Sequence, residues 1–464
     1  MGGGGDSDHG KFPAVQRAVA VKSIFWVSLI LVSVLLAAQS QTYAYVGDES
    51  FHLLAAKLIS AGKTPYADFF YQHPPLFIYV VGEIFRVPGA GWRVVHLLSA
   101  LSLIGAIVLA AGYARDLFED ETSRWLNAAL MPLLIGLNCY VLVFANTGLP
   151  FGFCLFCLMA ALGLSRSKTN TGLFFAGGFA GASATASFLT LPALVVFLFW
   201  LGRRERWRAW LFVAGVLTAF IPLLILLAVH PEATFSDVFR YHLFDRPNLG
   251  WRYNGREIAA WLATLQGITL TLLAVAGIWR RKDDDVRLCG LIALVLIVSI
   301  AAAKTTTGFY FLLATPFLAI LAGTALTEIS KGGTRYSKII GAVVVSLYVV
   351  GLLGVKQVWR REAPYADHRA IETVVKKLDS CAPTGDFYAP EAVYFADRRL
   401  PPRGMENRFD PFFRGDQLLA QGPEAVVIGS TDPRVERFHL VQRYARSDSV
   451  KFDGYWLRIF CARI

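Results

Sequence analysis

Charge is scarce in this chain: Asp, Glu, Lys and Arg make up only 17% of 464 residues, against 55% hydrophobic. With a mean hydropathy of +0.48, so little charge excludes an ordinary soluble globular protein. Cysteine is also sparse, six in all, which excludes a disulfide scaffold at this length. Cys139, Cys154, Cys157 and Cys289 lie in apolar runs and read as packing residues, Cys154-x-x-Cys157 included. Cys381 and Cys461 fall in the polar C-terminal region and are able to pair in an oxidising compartment. That region carries no glycine-rich phosphate loop, zinc cluster or Ser-His-Asp signature, and the chain shows no internal repeat of the transporter type. No cleavage site follows the first apolar run, so that run reads as a helix and not a removed signal.

What is present is a series of long apolar runs, each about 20 residues and sufficient to cross a ~30 Å hydrocarbon core. The first is Ile24 to Ala38; further spans are expected near 93–113, 124–145, 148–164, 173–202, 209–229, 257–279, 286–303, 309–327 and 338–356. The formal net charge of +11 sits largely in short loops between runs, which is a positive-inside signal and carries little implication of nucleic acid. Placing Arg166–Lys168 and Arg203–Arg208 on one side of the membrane requires 173–202 to make two short passes, turning near Ser187 to Pro192. The count is then about eleven passes, with a cytosolic tail at 1–22, a membrane domain at 23–362 and the C-terminus outside. From 363 to 464 a small α/β extracytoplasmic domain is expected. It has a helix on Ile371, Val374, Val375 and Leu378, and strand-like runs at Phe387–Phe395 and Ala425–Ile428. A closing hairpin runs through Tyr455, Leu457, Ile459 and Cys461, with Asp453-Gly454 near its turn.

The functional signal concentrates in the expected outer loop 42–92. Asp48 and Glu49 are adjacent acids at the end of the first span, where a charge is costly unless it has a task or a partner. An amphipathic segment follows, carrying His52 and Lys57, and Gly62, Pro65 and Pro74-Pro75 then break regular structure. The plain alternative for the two acids is capping of the helix that begins near Ser50. Lys304 at a span end equally suits snorkelling, Lys57 a solvated charge, and Tyr66, Tyr71, Tyr241 and Trp251 an interface belt.

Taken together, these segments carry a family likeness. The acid pair, Gly62-Lys63-Thr64-Pro65-Tyr66-Ala67-Asp68-Phe69, His73-Pro74-Pro75-Leu76, the span from Arg93 and the Lys304–Pro316 segment with Tyr310 resemble the GT-C membrane glycosyltransferases. The chain is most similar to glycosyltransferase family 39, the protein O-mannosyltransferase and lipid A aminoarabinose transferase group. The likeness covers most of the membrane region, is specific over 47–96 and is weak after 363. It implies a polyprenyl-phosphate sugar donor, a glycan, lipid or protein acceptor, and an acid near the reacting sugar, which falls on Asp48. His73 stands where aminoarabinose transferases have a phosphate-contacting lysine. The turn Asn146–Pro150 lacks the second acid that many members carry, leaving Glu49 or Asp245 for that role, or none.

The chemistry fits those parts. A polyprenyl phosphate already leaves well, so a single base for the acceptor hydroxyl is enough, with cations to hold the phosphate as charge develops. The expected set is Asp48 as base with Glu49 beside it, and Lys57, His73, Arg93 and Lys304 as phosphate partners. His96, Tyr66, Tyr71, His242, Asp245 and Tyr310 complete the expected substrate site. Attack opposite the phosphate predicts inversion. No cofactor is required, although the adjacent acids admit a divalent metal while providing few ligands for it. Two other readings stand beside transfer: a transporter or lipid flippase, and a non-catalytic lipid-binding relative. Against transport, the expected spans 124–145 and 286–303 contain no strong acid or base apart from Arg124 and Arg287 at their starts.

Overall fold

Apolar side chains on every face make a helix that only lipid or protein can cover, and the first helix of the computed structural model shows this directly. Helix α1 (Lys11–Thr42) leaves Val27, Ile30, Leu31 and Val34 more than half exposed, as expected of a lipid-facing span. The structure describes residues 11–42, 48–332, 335–356, 358, 368–383, 385–408, 410, 413–452 and 455–462. Gly47, the expected domain boundary at 363 and the Asp453-Gly454 turn lie outside the described residues.

A short amphipathic helix α2 (Glu49–Ser60) and α3 (Leu76–Phe85) lead to the long apolar α4 (Trp92–Arg115). The expected span 124–145 is broken into α5 (Glu121–Met131), a π turn at Pro132–Gly136 and α6 (Cys139–Phe144). Pro132 supplies no backbone N–H to continue the ladder, and Asn138 caps the restart by accepting from Tyr140 and Val141 N–H. Helices α7 (Phe151–Leu164) and α8 (Asn170–Ala186) follow. The turn expected near Ser187 is present: Ser187 is extended and a 3₁₀ turn leads into α9 (Leu191–Glu205). Helix α10 (Ala209–Val229) packs on α8 at backbone contact. A Cβ on Gly177 would lie 1.9 Å from Phe212 O, and one on Gly215 2.0 Å from Phe174 O, the small-residue packing that membrane helices favour.

After α10 the chain forms α11 (Pro231–Phe235) and a π-helical segment, Ser236–Asp245. The expected span 257–279 is corrected: α12 (Gly250–Leu262) and α13 (Leu265–Arg280) meet at 84°, because Thr264 leaves helical geometry and caps α13 through Gly267 N–H. Helices α14 (Asp284–Ala301), α15 (Thr315–Lys331) and α16 (Arg335–Val350) complete the bundle, with 94% of the apolar window around α15 buried at its centre. By length and composition, four helices among the described residues suit a membrane span, or five if the bent pair counts as one.

In the C-terminal segment, α17 (His368–Cys381) buries Ile371, Val374 and Leu378 as its periodicity predicts. Strand β1 is only Phe387–Tyr388; the expected strand to Phe395 is corrected, since Glu391–Ala396 forms helix α18 after Pro390. Strands β2 (Ala425–Gly429), β3 (Arg446–Phe452) and β4 (Tyr455–Cys461) give a sheet of order β1-β2-β4-β3, β3 and β4 forming the closing antiparallel pair. Cys381 and Cys461 are disulfide-bonded, tying the end of α17 to the end of β4 across 80 residues. Cys381→Ser is expected to destabilise this segment by about 2–4 kcal/mol. Thermal melting with and without reductant checks it, and a variant that melts like the unreduced wild type would refute it.

Candidate active site

Asp48 occupies the N-cap position of α2, yet its side chain makes no capping hydrogen bond. It therefore supplies no hydrogen-bonded cap, and only its charge at the helix N-terminus remains of that explanation. Its carboxylate instead meets the Arg408 guanidinium from the C-terminal segment at 3.6 Å, with 39% of the Asp48 side chain and 54% of that of Arg408 exposed. Burial among the surrounding elements pushes the Asp48 carboxyl above its usual range; Arg408 opposes this, Glu391 reinforces it, and Arg246 is close enough to lower it as well. Water reaching the open side of Asp48 moderates the shift. Asp48 and Arg408 are therefore both in reach of solvent.

Glu49, one residue on, is fully buried. It faces inward and pairs with His96 Nε2 of α4, while Gly148 N–H donates to its Oε1 at 2.8 Å. His96 Nδ1 lies 3.0 Å from Ser40 O. Since that carbonyl only accepts, Nδ1 is the ring nitrogen that donates to it, and Nε2 is turned to Glu49. The pair joins the end of α1, the start of α2, α4 and the turn Asn146–Pro150. Both side chains are fully buried, so neither faces solvent as Asp48 does.

The other wall comes from the segment after α11. Tyr241, in the π-helical stretch, is buried, and Arg246, Asp48, Tyr310 and Asp245 are near enough to act on it electrostatically. Arg246 Nη2 donates to Thr305 O at 3.3 Å and reaches Tyr310 Oη at 3.5 Å. Leu249 N–H donates to Lys304 O, and Thr305 Oγ1 to Pro247 O. Asn254 of α12 fixes the far side of that turn, donating to Ala301 O and Ala303 O and accepting from Thr306 N–H. The turn that carries Lys304 is thereby stitched to the loop that carries Arg246. No partner for the Lys304 ammonium is found among the described residues. Asp245 pairs with Arg240 at 3.6 Å.

Several expected ligands do something else. Lys57 donates to Tyr394 O, Asp397 O and Arg399 O; it docks the C-terminal segment on α2 instead of binding phosphate. Burial lowers its pKa to about 8. Tyr66 and Tyr71 are buried and do not line an open sugar site. Tyr66, with φ +68°, donates to His73 O at 2.8 Å, while Tyr71 Oη meets His52 Nδ1 at 2.8 Å. His73 stacks against Phe51 and His52, and burial with neighbouring His52, His242 and Arg246 drives its pKa well below the ordinary value. Neutral at physiological pH, His73 does not supply the cation its position suggested. Burial likewise lowers His52 to about 3 and His242 to about 4; His242 Nε2 contacts Gln72 O at 2.6 Å. Arg93 is exposed, with its guanidinium 5.3 Å from the Trp92 ring. Trp251 is 80% exposed and suits an interface.

Sequence reasoning overlooked Arg246, Arg408 and Asp237. Asp237 accepts from Tyr71 N–H at 3.3 Å and is pushed by burial to about 7. Arg246 had a local signal, a cation between an acid and a proline in a loop already singled out. Arg408 had none. Among the described residues no three His, Cys, Asp or Glu side chains converge as a metal site.

No family model and no curated protein sequence matches this chain. Solved structures do match. ArnT from Cupriavidus metallidurans bound to undecaprenyl phosphate is similar at TM-score 0.64 and 14% identity, over 98% of each chain. The Archaeoglobus fulgidus oligosaccharyltransferase in complex with Zn and sulfate is similar at TM-score 0.57 and 12% identity, over 92% of this chain and 72% of that one. AglB from the same organism, with an inhibitory peptide and a dolichol-phosphate, gives 0.53 and 11%, over 97% and 74%. The fold is that of the GT-C membrane glycosyltransferases.

Proposed function

We propose that, on this GT-C scaffold, the chain transfers a sugar from a polyprenyl-phosphate donor to a glycan, lipid or protein acceptor at the non-cytosolic face. The observation that carries the reading is Asp48: a half-exposed acid at a helix N-terminus that makes no capping hydrogen bond and has Arg408 beside it and Arg246 within electrostatic reach. ArnT and AglB, which share the fold, bind undecaprenyl phosphate and a dolichol-phosphate.

Asp48 would take the acceptor hydroxyl proton as that oxygen attacks the anomeric carbon. Arg246 and Lys304, on their stitched loops, would hold the leaving phosphate. Attack from the side opposite the phosphate inverts the anomeric centre. Tyr310, held by Arg246, and Asp245 would border the sugar. About eleven passes, an N-terminus in the cytosol and a separate outer C-terminal α/β domain complete the reading; the Cys381–Cys461 bridge supports an oxidising compartment for that domain.

Lipid-linked sugars measured by mass spectrometry in cells lacking the protein test this. A polyprenyl-phosphate sugar is expected to accumulate, wild type to clear it and Asp48→Asn to leave it. With the donor pathway shown to be active, no accumulation in any strain would sink transfer and turn attention to transport.

A further inference from the structure

We propose that the turn joining α9 to α10 binds the head group of an anionic phospholipid, with the guanidiniums of Arg203, Arg204 and Arg206 on its phosphate and Trp207 and Trp210 in the interface beside it. This turn lies at the far end of the helix bundle from Asp48 and is independent of the reaction proposed there.

Helix packing fixes which end of the bundle the turn occupies. Gly177 of α8 meets the backbone of Phe212 in α10, and Gly181 meets that of Val216, so α8 and α10 run parallel and start at one end. Helix α9, between them in the chain, returns to that end. Arg208 closes the corner by donating to Lys168 O at 2.7 Å and to Asn170 Oδ1 at 3.2 Å, both at the start of α8. Arg166, just before α8, stacks 3.5 Å from the Tyr113 ring near the end of α4. The Glu49–His96 pair lies near the start of α4. His96 and Tyr113 are 17 positions apart on that helix, about 25 Å of rise.

The reversal into α10 is made by Arg206 at φ +44°, a conformation that a residue with a Cβ enters only at a cost. Glycine would adopt it freely; arginine there keeps an exposed guanidinium at the tip of the turn. Residues 203–208 hold four arginines and one acid, Glu205. That acid is already engaged, 2.8 Å from Arg208 and 3.9 Å from Arg204. Arg203 is exposed, with its guanidinium 5.8 Å from the exposed Phe199 ring. Neither Arg203 nor Arg206 has a carboxylate partner among the described residues. Trp207 and Trp210 are 72% and 57% exposed, as suits side chains at head-group level. From Trp210 the exposed Val213, Leu217 and Ile221 continue along one face of α10. A lipid on this face has its acyl chain along that stripe and its phosphate at the arginines.

The α13–α14 turn gives the contrast. The Arg166–Asp285 ion pair places it at the same end, yet Arg280, Arg281 and Lys282 are followed there by Asp283, Asp284 and Asp285. Arg281 is held by Asp283 and Glu328. That turn is neutral as a whole, whereas the α9–α10 turn has a positive surplus that an anionic head group answers and a zwitterionic one does not. The planar guanidinium adds paired N–H bonds to phosphate oxygens.

The test places the full chain in nanodiscs of equal parts phosphatidylglycerol and phosphatidylethanolamine and counts the lipids it retains by native mass spectrometry. Wild type is expected to retain phosphatidylglycerol in preference. Arg203→Gln, Arg204→Gln and Arg206→Gln are each expected to lower that preference about fivefold, and the three Arg→Lys changes together to keep most of it. Arg206→Gly relieves the strained backbone, so it is expected to melt no lower than wild type while retaining less phosphatidylglycerol. Arg280→Gln with Lys282→Gln, on the neutral turn, is expected to change little. Melting curves verify that each variant is folded. Equal retention of the two lipids by wild type overturns the site, as does wild-type preference in the triple glutamine variant. A control pair that lowers the preference as much per charge also overturns it, since the surface would then be diffusely positive. Any of these results leaves the transferase reading standing, and a failure of sugar transfer leaves this site standing.

Discussion

Asparagine at position 48 is expected to lower sugar transfer about 10²–10⁴-fold, the usual contribution of a general base, without loss of lipid binding. The amide keeps the shape and the helix N-terminal position but cannot accept a proton. No cap is lost, because Asp48 makes no capping bond, so the fold is expected to survive. The wild-type rate adds a second signature. Asp48 must be ionised to act, and burial holds its carboxyl above the ordinary 3.8; activity should therefore fall as pH drops through a value higher than that of a free aspartate. Removing Arg408, which opposes the shift, should move this acid limb to still higher pH. Purified protein with an undecaprenyl-phosphate sugar, assayed across pH, gives both readouts. An Asp48→Asn enzyme of wild-type rate would remove Asp48 from the chemistry.

His96→Ala should be the most destabilising change near the site, by about 3–5 kcal/mol. It strips the partner from a fully buried carboxylate, and Glu49 has no route to water. Glu49→Gln should be milder, since an amide oxygen still accepts from Gly148 N–H and no charge is left uncompensated. The double change His96→Ala with Glu49→Gln should regain much of the stability that His96→Ala loses, as expected of groups in one network. Thermal unfolding in detergent ranks the variants. A His96→Ala protein as stable as Glu49→Gln would mean that Glu49 is not held as a buried charge. The effect on activity would be indirect, through the orientation of Asp48 at the mouth of α2.

These two adjacent acids show what a sequence conveys and what it leaves open. Asp48 and Glu49 stand out in the chain for the same reason, two charges at the end of an apolar run, and nothing local separates their roles. Helical geometry turns successive residues about 100° apart, so one is left half-exposed and the other faces the interior. Only the packing of α4 and the turn at Gly148 determines which. The same holds for the cations. Lys57, His73 and Lys304 were all legible as positive groups beside the site. Tertiary contacts then tied Lys57 to three carbonyls, made His73 a neutral stacking residue, and left Lys304 on a turn stitched to Arg246.

By itself the sequence determined the lipid-facing character, the helical class, the break near Ser187 and the loop that holds the acids, and it left Cys381 and Cys461 as a candidate pair that the fold joins. Each follows from local composition, periodicity or chemistry, which a linear reading registers directly. The broken span at Pro132, the 84° bend between α12 and α13, and the helix in place of a strand at Glu391–Ala396 were decided by caps and packing. Arg408 is the extreme case. It lies 360 positions from Asp48, in a region of weak family likeness, and reaches it only because Lys57, Glu391 and the Gln72–Asn407 bond fold the C-terminal segment back onto α2. Long-range proximity of that kind has no local signature, because it is set by the whole chain's packing and not by any stretch of it.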